Sequence, residues 1–292
     1  MDSFRWRRMK KGEHAACEAF LRQMEPYCTT ACARFLHLNP GDDQVWYSAG
    51  PGRRIGEPVP ALLIRSRQSL LPVFNGQRLV PAPRFLRLLP GTRPLHAIQG
   101  LREDAELLEG ALQPVYTAMD RIDYDLMSLD AEPDPEALNG RLRMLLRRGP
   151  AGLHLRTPDM SDLEKLLPLQ TAYEKEEVLP KGAVYSPLSS RLSLEQIVLR
   201  EHMLAAELDG RIVAKINTNA VSFTRYQLGG VYVHPDYRGL GIATTMTAAL
   251  VLELTAKGRG VTLFVKKHNA TAQTVYRRLG FKTIGDYRIS YY

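Results

Sequence analysis

Two apolar periodicities alternate along the second half of the chain. Residues 203–208, 211–220 and 226–234 are short runs rich in apolar, β-branched and aromatic side chains, and each reads as a strand. Asp209-Gly210, between the first two, is a tight-hairpin signal. Residues 241–257 form a longer, mostly apolar run that reads as a helix, and 261–265 reads as a buried strand. Asn269 then caps a short helix whose apolar positions are Ala272, Val275, Tyr276 and Leu279, and Gly280 stops it. Two final strands are expected before Tyr292. Upstream, the pattern predicts a strand at 153–156, a helix at 161–177, a proline-containing loop at 179–187 and a helix at 194–201.

The first half is harder to read. It suggests strands at 4–8, 45–48, 61–65, 70–74 and 122–129, with helices at 13–24 and 103–112. The stretch 4–24 resembles 153–173 in order and spacing, with Trp6-Arg7 opposite Leu155-Arg156. A helix-like stretch at 134–148 is followed by Gly149-Pro150-Ala151-Gly152, the expected boundary between an N-terminal α+β domain (1–150) and a C-terminal domain (151–292).

The turn between the strand at 226–234 and the helix at 241–257 carries candidate chemistry. A helix start leaves its first N–H groups without intrahelical partners and carries a partial positive charge, so it can hold an anion. Gly239 and Gly241 let backbone approach that anion, and Arg238 adds a fixed charge. A Walker A loop requires Gly-Lys followed by Ser or Thr, which does not follow Gly241. A dinucleotide fingerprint requires Gly or Ala where Thr244 stands, and an acidic residue at a place that here falls inside the predicted helix. What remains is Arg/Gln-x-x-Gly-x-Gly/Ala, filled by Arg238, Gly241 and Ala243.

This turn resembles the acetyl-CoA pyrophosphate loop of the GNAT superfamily of N-acetyltransferases. Asn269, Ala272, Tyr276, Gly280 and Phe281 are similar to that family's second signature, Asn-x-x-Ala-x-x-x-Tyr-x-x-x-Gly-Phe. The spacing places Asn269, Ala272 and Tyr276 on one helical face. The resemblance implies an α/β (α+β) fold over 152–292, a mixed, mostly antiparallel central sheet flanked by helices. It also suggests that the first half is a shortened GNAT-like unit without the loop, the alternative being an unrelated α+β domain.

Further implications follow from the resemblance. Acetyl-CoA is the expected co-substrate. The N–H groups of Val231, Tyr232 and Val233 are expected at its thioester and pantetheine, the amides of Gly239, Leu240, Gly241, Ile242, Ala243 and Thr244 at its pyrophosphate, and Asn269, Ala272 and Tyr276 beside its arm and thiol. Tyr276 is the candidate acid for the leaving thiolate. Glu174, Glu176 and Glu177 close the helix at 161–177, and Glu176 is the candidate base, against a solvated helix end or a water chain. The expected reaction is acetyl transfer to a primary amine, of a small molecule or a peptide, by direct attack in a ternary complex. No cysteine near these motifs suggests a ping-pong route. A CoA- or acyl-CoA-sensing module, or an aminoacyl or longer-acyl transferase of tandem GNAT type, are the alternatives.

Charge and cysteines narrow the picture a little. Lys and Arg number 39 against 31 Asp and Glu, a formal net charge of +8 that suits an anionic cofactor and would also suit nucleic acid. The cations are spread along the chain, in pairs such as Arg53-Arg54, Arg147-Arg148 and Lys266-Lys267, without a nucleic-acid motif, so no nucleic-acid partner is expected. No apolar run approaches the roughly 20 residues of a membrane span, and Glu13 and His14 stand where a signal peptide's apolar region would begin. A cytoplasmic monomer or homodimer is expected. Cys17, Cys28 and Cys32 are an odd number for a disulfide framework, and buried thiols are expected over a Cys28, Cys32 and His37 metal site. Tyr287 is expected to be structural, and Tyr291 and Tyr292 either pair in a hairpin or line an acceptor pocket.

Overall fold

The computed structural model of the chain describes residues 5–39, 41–76, 95–113, 115–130, 140, 143–147 and 149–292. It divides into two compact units, Met1–Leu126 with Ile284–Tyr292, and Met127–Thr283. The Gly149-Pro150-Ala151-Gly152 segment lies inside the second unit. The helix expected at 134–148 lies largely outside the described residues, of which 140 and 143–146 are helical.

In the first unit the elements are β1 (Arg5–Arg8), α1 (His14–Met24), α2 (Thr29–Leu36), β2 (Asp43–Ala49), β3 (Leu62–Ser66), β4 (Ser69–Val73), β5 (Ala97–Leu101), α3 (Arg102–Leu112) and most of β6 (Asp120–Leu129). In the second come β7 (His154–Arg156), α4 (Leu163–Tyr173), a π-helical turn at Glu174–Val178, α5 (Pro187–Arg200), β8 (Met203–Leu208), β9 (Arg211–Val221), β10 (Arg225–Val233), α6 (Ile242–Thr255), β11 (Gly260–Lys266) and α7 (Ala270–Leu279). The last strand, β12 (Lys282–Tyr291), returns to the first unit and pairs antiparallel with β5.

The two units repeat one strand succession. β1 to β4 form consecutive antiparallel pairs, and β4 then pairs in parallel with β5. β7 to β10 do the same, and β10 pairs in parallel with β11. In the second unit one sheet face packs on α6 and α7, where Met246, Leu250 and Leu254 meet Ile216, Leu228 and Leu263. The other face packs on α4 and α5 through Leu166, Leu194, Met203 and Ala205. α6 is apolar on nearly every side, because it is buried on nearly every side. Met127, Leu129 and Leu145 also belong to the α6-side core.

Several expectations change. β12 is one strand rather than two. Gly285 is an in-strand glycine whose added Cβ would lie 3.3 Å from Leu101 Cδ2, so it marks close packing. α5 begins at Pro187 instead of near 194, since Ser186 caps it by accepting from Ser189 N–H and proline is suited to the first helical position. α2 and β5 were not expected. The former has no side-chain cap, and the latter is five residues, one of them glycine, running straight into α3.

Candidate active site

β10 is irregular where the site forms. Against β9 it pairs Gly229 with Asn217 and Tyr232 with Lys215, so one extra residue bulges out of β10. The bulge reverses the strand's facing. Tyr226 and Leu228 before it and Val231 and Val233 after it all join the α6-side core, while Tyr232 meets Tyr173 of α4 edge to face at 6.5 Å. Glycine is required at position 230 of the bulge, where the backbone is left-handed. Gly230 has φ +59°, and a Cβ there would fall 1.9 Å from Asn217 Oδ1; at Gly229 it would fall 2.0 Å from Asn219 Nδ2.

The parallel pairing of β10 with β11 runs from Arg225 opposite Gly260 to Leu228 opposite Leu263 and stops there. Beyond it the bulged end of β10 runs on toward the glycine turn. His234 is followed by a short 3-10 turn at Pro235–Tyr237, and Arg238, Gly239 and Leu240 are exposed. Gly241, at φ +78°, is the N-cap of α6 and supplies no side-chain cap, so the first N–H groups of the helix have no acceptor from their own cap. Around Gly239 no heavy atom lies within 4 Å of an added Cβ. This turn is the open, donor-rich helix start that an anion requires.

Asn269 caps α7, its Oδ1 accepting from Ala272 N–H at 3.0 Å. This commits the Asn269 side chain to the backbone. Tyr276 is buried, packs edge to face on Phe281 at 5.9 Å, and belongs to the α6-side core. Burial pushes its phenol pKa up, and the Tyr173 hydroxyl and the Glu177 carboxylate push it the same way. Tyr276 therefore stays protonated through the neutral range.

Glu176 sits in the π-helical turn, which re-aims the end of α4 by one residue. Its Oε1 accepts from Tyr232 OH at 2.5 Å and its Oε2 from Arg238 Nη2 at 2.9 Å. Arg238 also donates from Nε to Val233 O at 3.1 Å and lies 5.3 Å over the Tyr232 ring. The Tyr232 hydrogen bond first, and Arg238 next, hold the Glu176 carboxyl below its ordinary pKa. Burial and then Glu176 raise Tyr232 to about 12. Both Glu176 oxygens are thus engaged, and the carboxylate is a weak proton acceptor in this state. Lys266 donates to Glu176 O and pairs with Glu177 at 3.2 Å, fixing the turn from the β11 side.

Sequence reading missed Lys215. It is completely buried on the α4 face of β9, donating to Gly230 O at 3.0 Å and to Asn217 Oδ1 at 3.3 Å. Burial lowers its pKa to about 7, against a smaller opposing pull from Glu174. A signal existed, since Lys215, Asn217 and Asn219 are polar at every second position of a strand whose other positions nearby are Ala214, Ile216, Thr218 and Ala220.

Other expectations fall in the first unit. Cys17, Cys28 and Cys32 are buried and free, with Cys28 and Cys32 sulfurs 3.5 Å apart, and burial raises the Cys17 and Cys32 pKa values. Among the described residues no group of three or more His, Cys, Asp or Glu is placed to hold a metal ion, and no helix is long and apolar enough to cross a membrane. Tyr287 is buried, Tyr291 packs on His96, and Tyr292 packs on Tyr116, so these tyrosines serve the packing of the first unit.

Comparison with known proteins agrees with this geometry. Residues 169–281 match the model of the acetyltransferase (GNAT) family. An acetyltransferase of Pectobacterium atrosepticum is 33% identical over 84 residues, 28% of this chain and 57% of that protein, so the match spans little more than half of the relative's length. Among solved structures, a Drosophila protein is similar with a TM-score of 0.64 at 14% identity, covering 100% of this chain and 99% of that one. A tandem GNAT protein from the clavulanic acid biosynthesis pathway is similar with a TM-score of 0.54 at 13% identity, over 99% and 98% of the two chains. The match to the acetyltransferase (GNAT) family thus lies within the second unit.

Proposed function

We propose that the protein is an acetyl-CoA-dependent N-acetyltransferase whose active unit is the second one. The observation that carries this reading is the bulged, diverging end of β10 leading into an uncapped, glycine-lined start of α6. Acetyl-CoA supplies the thioester that is attacked. The amides of residues 239–244 would hold its pyrophosphate, aided by Arg238, and the N–H groups of Val231 and Val233 would hold the thioester carbonyl, where backbone donors stabilise developing charge, while the alternate amides of Tyr232 and His234 face β9. Tyr276, kept protonated by burial, would pass its proton to the leaving sulfur. The acceptor amine must lose a proton, and Glu176 can take it only after Arg238 moves from its carboxylate to the pyrophosphate.

The test is release of free thiol from acetyl-CoA across a panel of amines, aminoglycosides, polyamines and peptide N-termini, with calorimetric titration of CoA alongside. Amine-dependent thiol release supports the reading. CoA binding without turnover on any amine favours a sensing module, and absence of CoA binding overturns it.

A further inference from the structure

We propose that Lys215 is a positioning residue for the transfer step, anchoring the β10 bulge so that the N–H group following it is offered to the donor. The inference rests on the acetyltransferase reading above. A bulge removes a residue from the strand ladder and leaves its backbone groups to find other partners. At Gly230 the carbonyl finds Lys215 Nζ at 3.0 Å, reaching across from the adjacent strand. The Gly230 carbonyl and the Val231 N–H share one planar trans peptide and point in opposite directions, so fixing the oxygen on Lys215 turns that N–H away from it.

Lys215 is itself held from several sides. Asn217 Oδ1 accepts its second hydrogen bond at 3.3 Å, and the Asn217 amide is fixed in turn by Asn219 Oδ1 and Thr218 O, both at 2.9 Å. The Tyr173 ring of α4 lies 4.7 Å from Nζ, and Glu174 of the π-helical turn attracts it. Desolvating a lysine completely is costly, and this one is spent on a single backbone carbonyl and the side chain that braces it. Since Lys215 is sealed from solvent, its role is exerted through the backbone of β10.

The experiment compares the intact protein with Lys215→Met, which keeps the stem and loses the donor, and Lys215→Gln, which keeps a shorter uncharged donor. Losing the alignment of one backbone donor is expected to lower kcat about 100-fold in Lys215→Met, with KM for acetyl-CoA and Kd for CoA changed less than about threefold. Lys215→Gln is expected between Lys215→Met and the unsubstituted protein, and serves alone if Lys215→Met does not fold. A folded variant of either kind with kcat within about threefold of the unsubstituted protein overturns the inference. So does a variant whose loss lies wholly in CoA affinity. Absence of turnover in the unsubstituted protein sinks the acetyltransferase reading itself, a result separable from both.

Discussion

A buried phenol and a buried amine stand on opposite faces of the second unit's sheet, and burial does different things to them. Tyr276 is driven toward its protonated form. Tyr276→Phe is expected to lower turnover about 100-fold while CoA affinity, read by calorimetry, stays within about threefold, because only the proton transfer is lost. Lys215 is driven toward its neutral form, with a pKa of about 7 against an ordinary 10.5. Between those values the unfolded chain binds the more protons, so the contribution of Lys215 to stability is full above about pH 10.5, is lost as pH falls, and is flat below about pH 7. Urea unfolding across that window is expected to show a stability slope that Lys215→Met lacks. Neither environment was legible from residue type. The Asn-x-x-Ala-x-x-x-Tyr spacing marked Tyr276, whereas Lys215 sits in an alternating strand where a lysine reads as solvent-facing until the helix covering it is known. Glu176 was legible as an acid near the site, but its two hydrogen-bond partners lie 56 and 62 positions away in sequence, beyond any local pattern.

At the scale of the element, two glycines, one in β10 and one in the turn before α6, differ in what they tolerate. Gly230 and Gly239 both have positive φ, but only Gly230 faces a side chain in the space a Cβ would enter. Gly239→Ala is expected to cost about 1–2 kcal/mol from backbone strain alone. Gly230→Ala adds collision with Asn217 and is expected to cost about 2–5 kcal/mol, so its fall in Tm under thermal unfolding should be the larger of the two. Periodicity located β8, β9, β10, α6, β11 and α7 to within a residue or two because each ends at a chemical signal, such as Asp209-Gly210, Asn269 or Gly280. It failed at a proline, a residue type with two meanings. Pro187 starts a helix rather than closing a loop.

For the whole molecule, the order of most elements was legible, and the β8–β9 hairpin with it, but the partners of strands distant in sequence were not. The repeated succession of four antiparallel strands and one parallel pair agrees with the expectation of two GNAT-like units. The pairing of β12 with β5 has no local signal, because a strand's apolar pattern shows which face is buried and not which edge it joins. This pairing predicts how the chain can be cut. Deleting Ile284–Tyr292 removes the partner of β5 and takes Tyr287 out of the first unit, so a lower unfolding midpoint and aggregation through the bared edge are expected by thermal scanning and light scattering. A fragment of residues 151–292 lacks Met127, Leu129 and Leu145, each an apolar core loss of about 2–5 kcal/mol. It is expected to be insoluble where a fragment of residues 127–292 is not, a difference read from soluble yield.

The same pairing sets a timetable for synthesis. Leu101 of β5 leaves the ribosome well before Tyr287, its partner on β12. At about 5–20 residues per second the edge of β5 waits roughly 10–40 s for its neighbour, while the whole second unit is being translated. During that interval the first unit is a nascent sheet with an open hydrogen-bonding edge, the state that chaperones bind. The second unit can fold while the first one still depends on residues yet to be made.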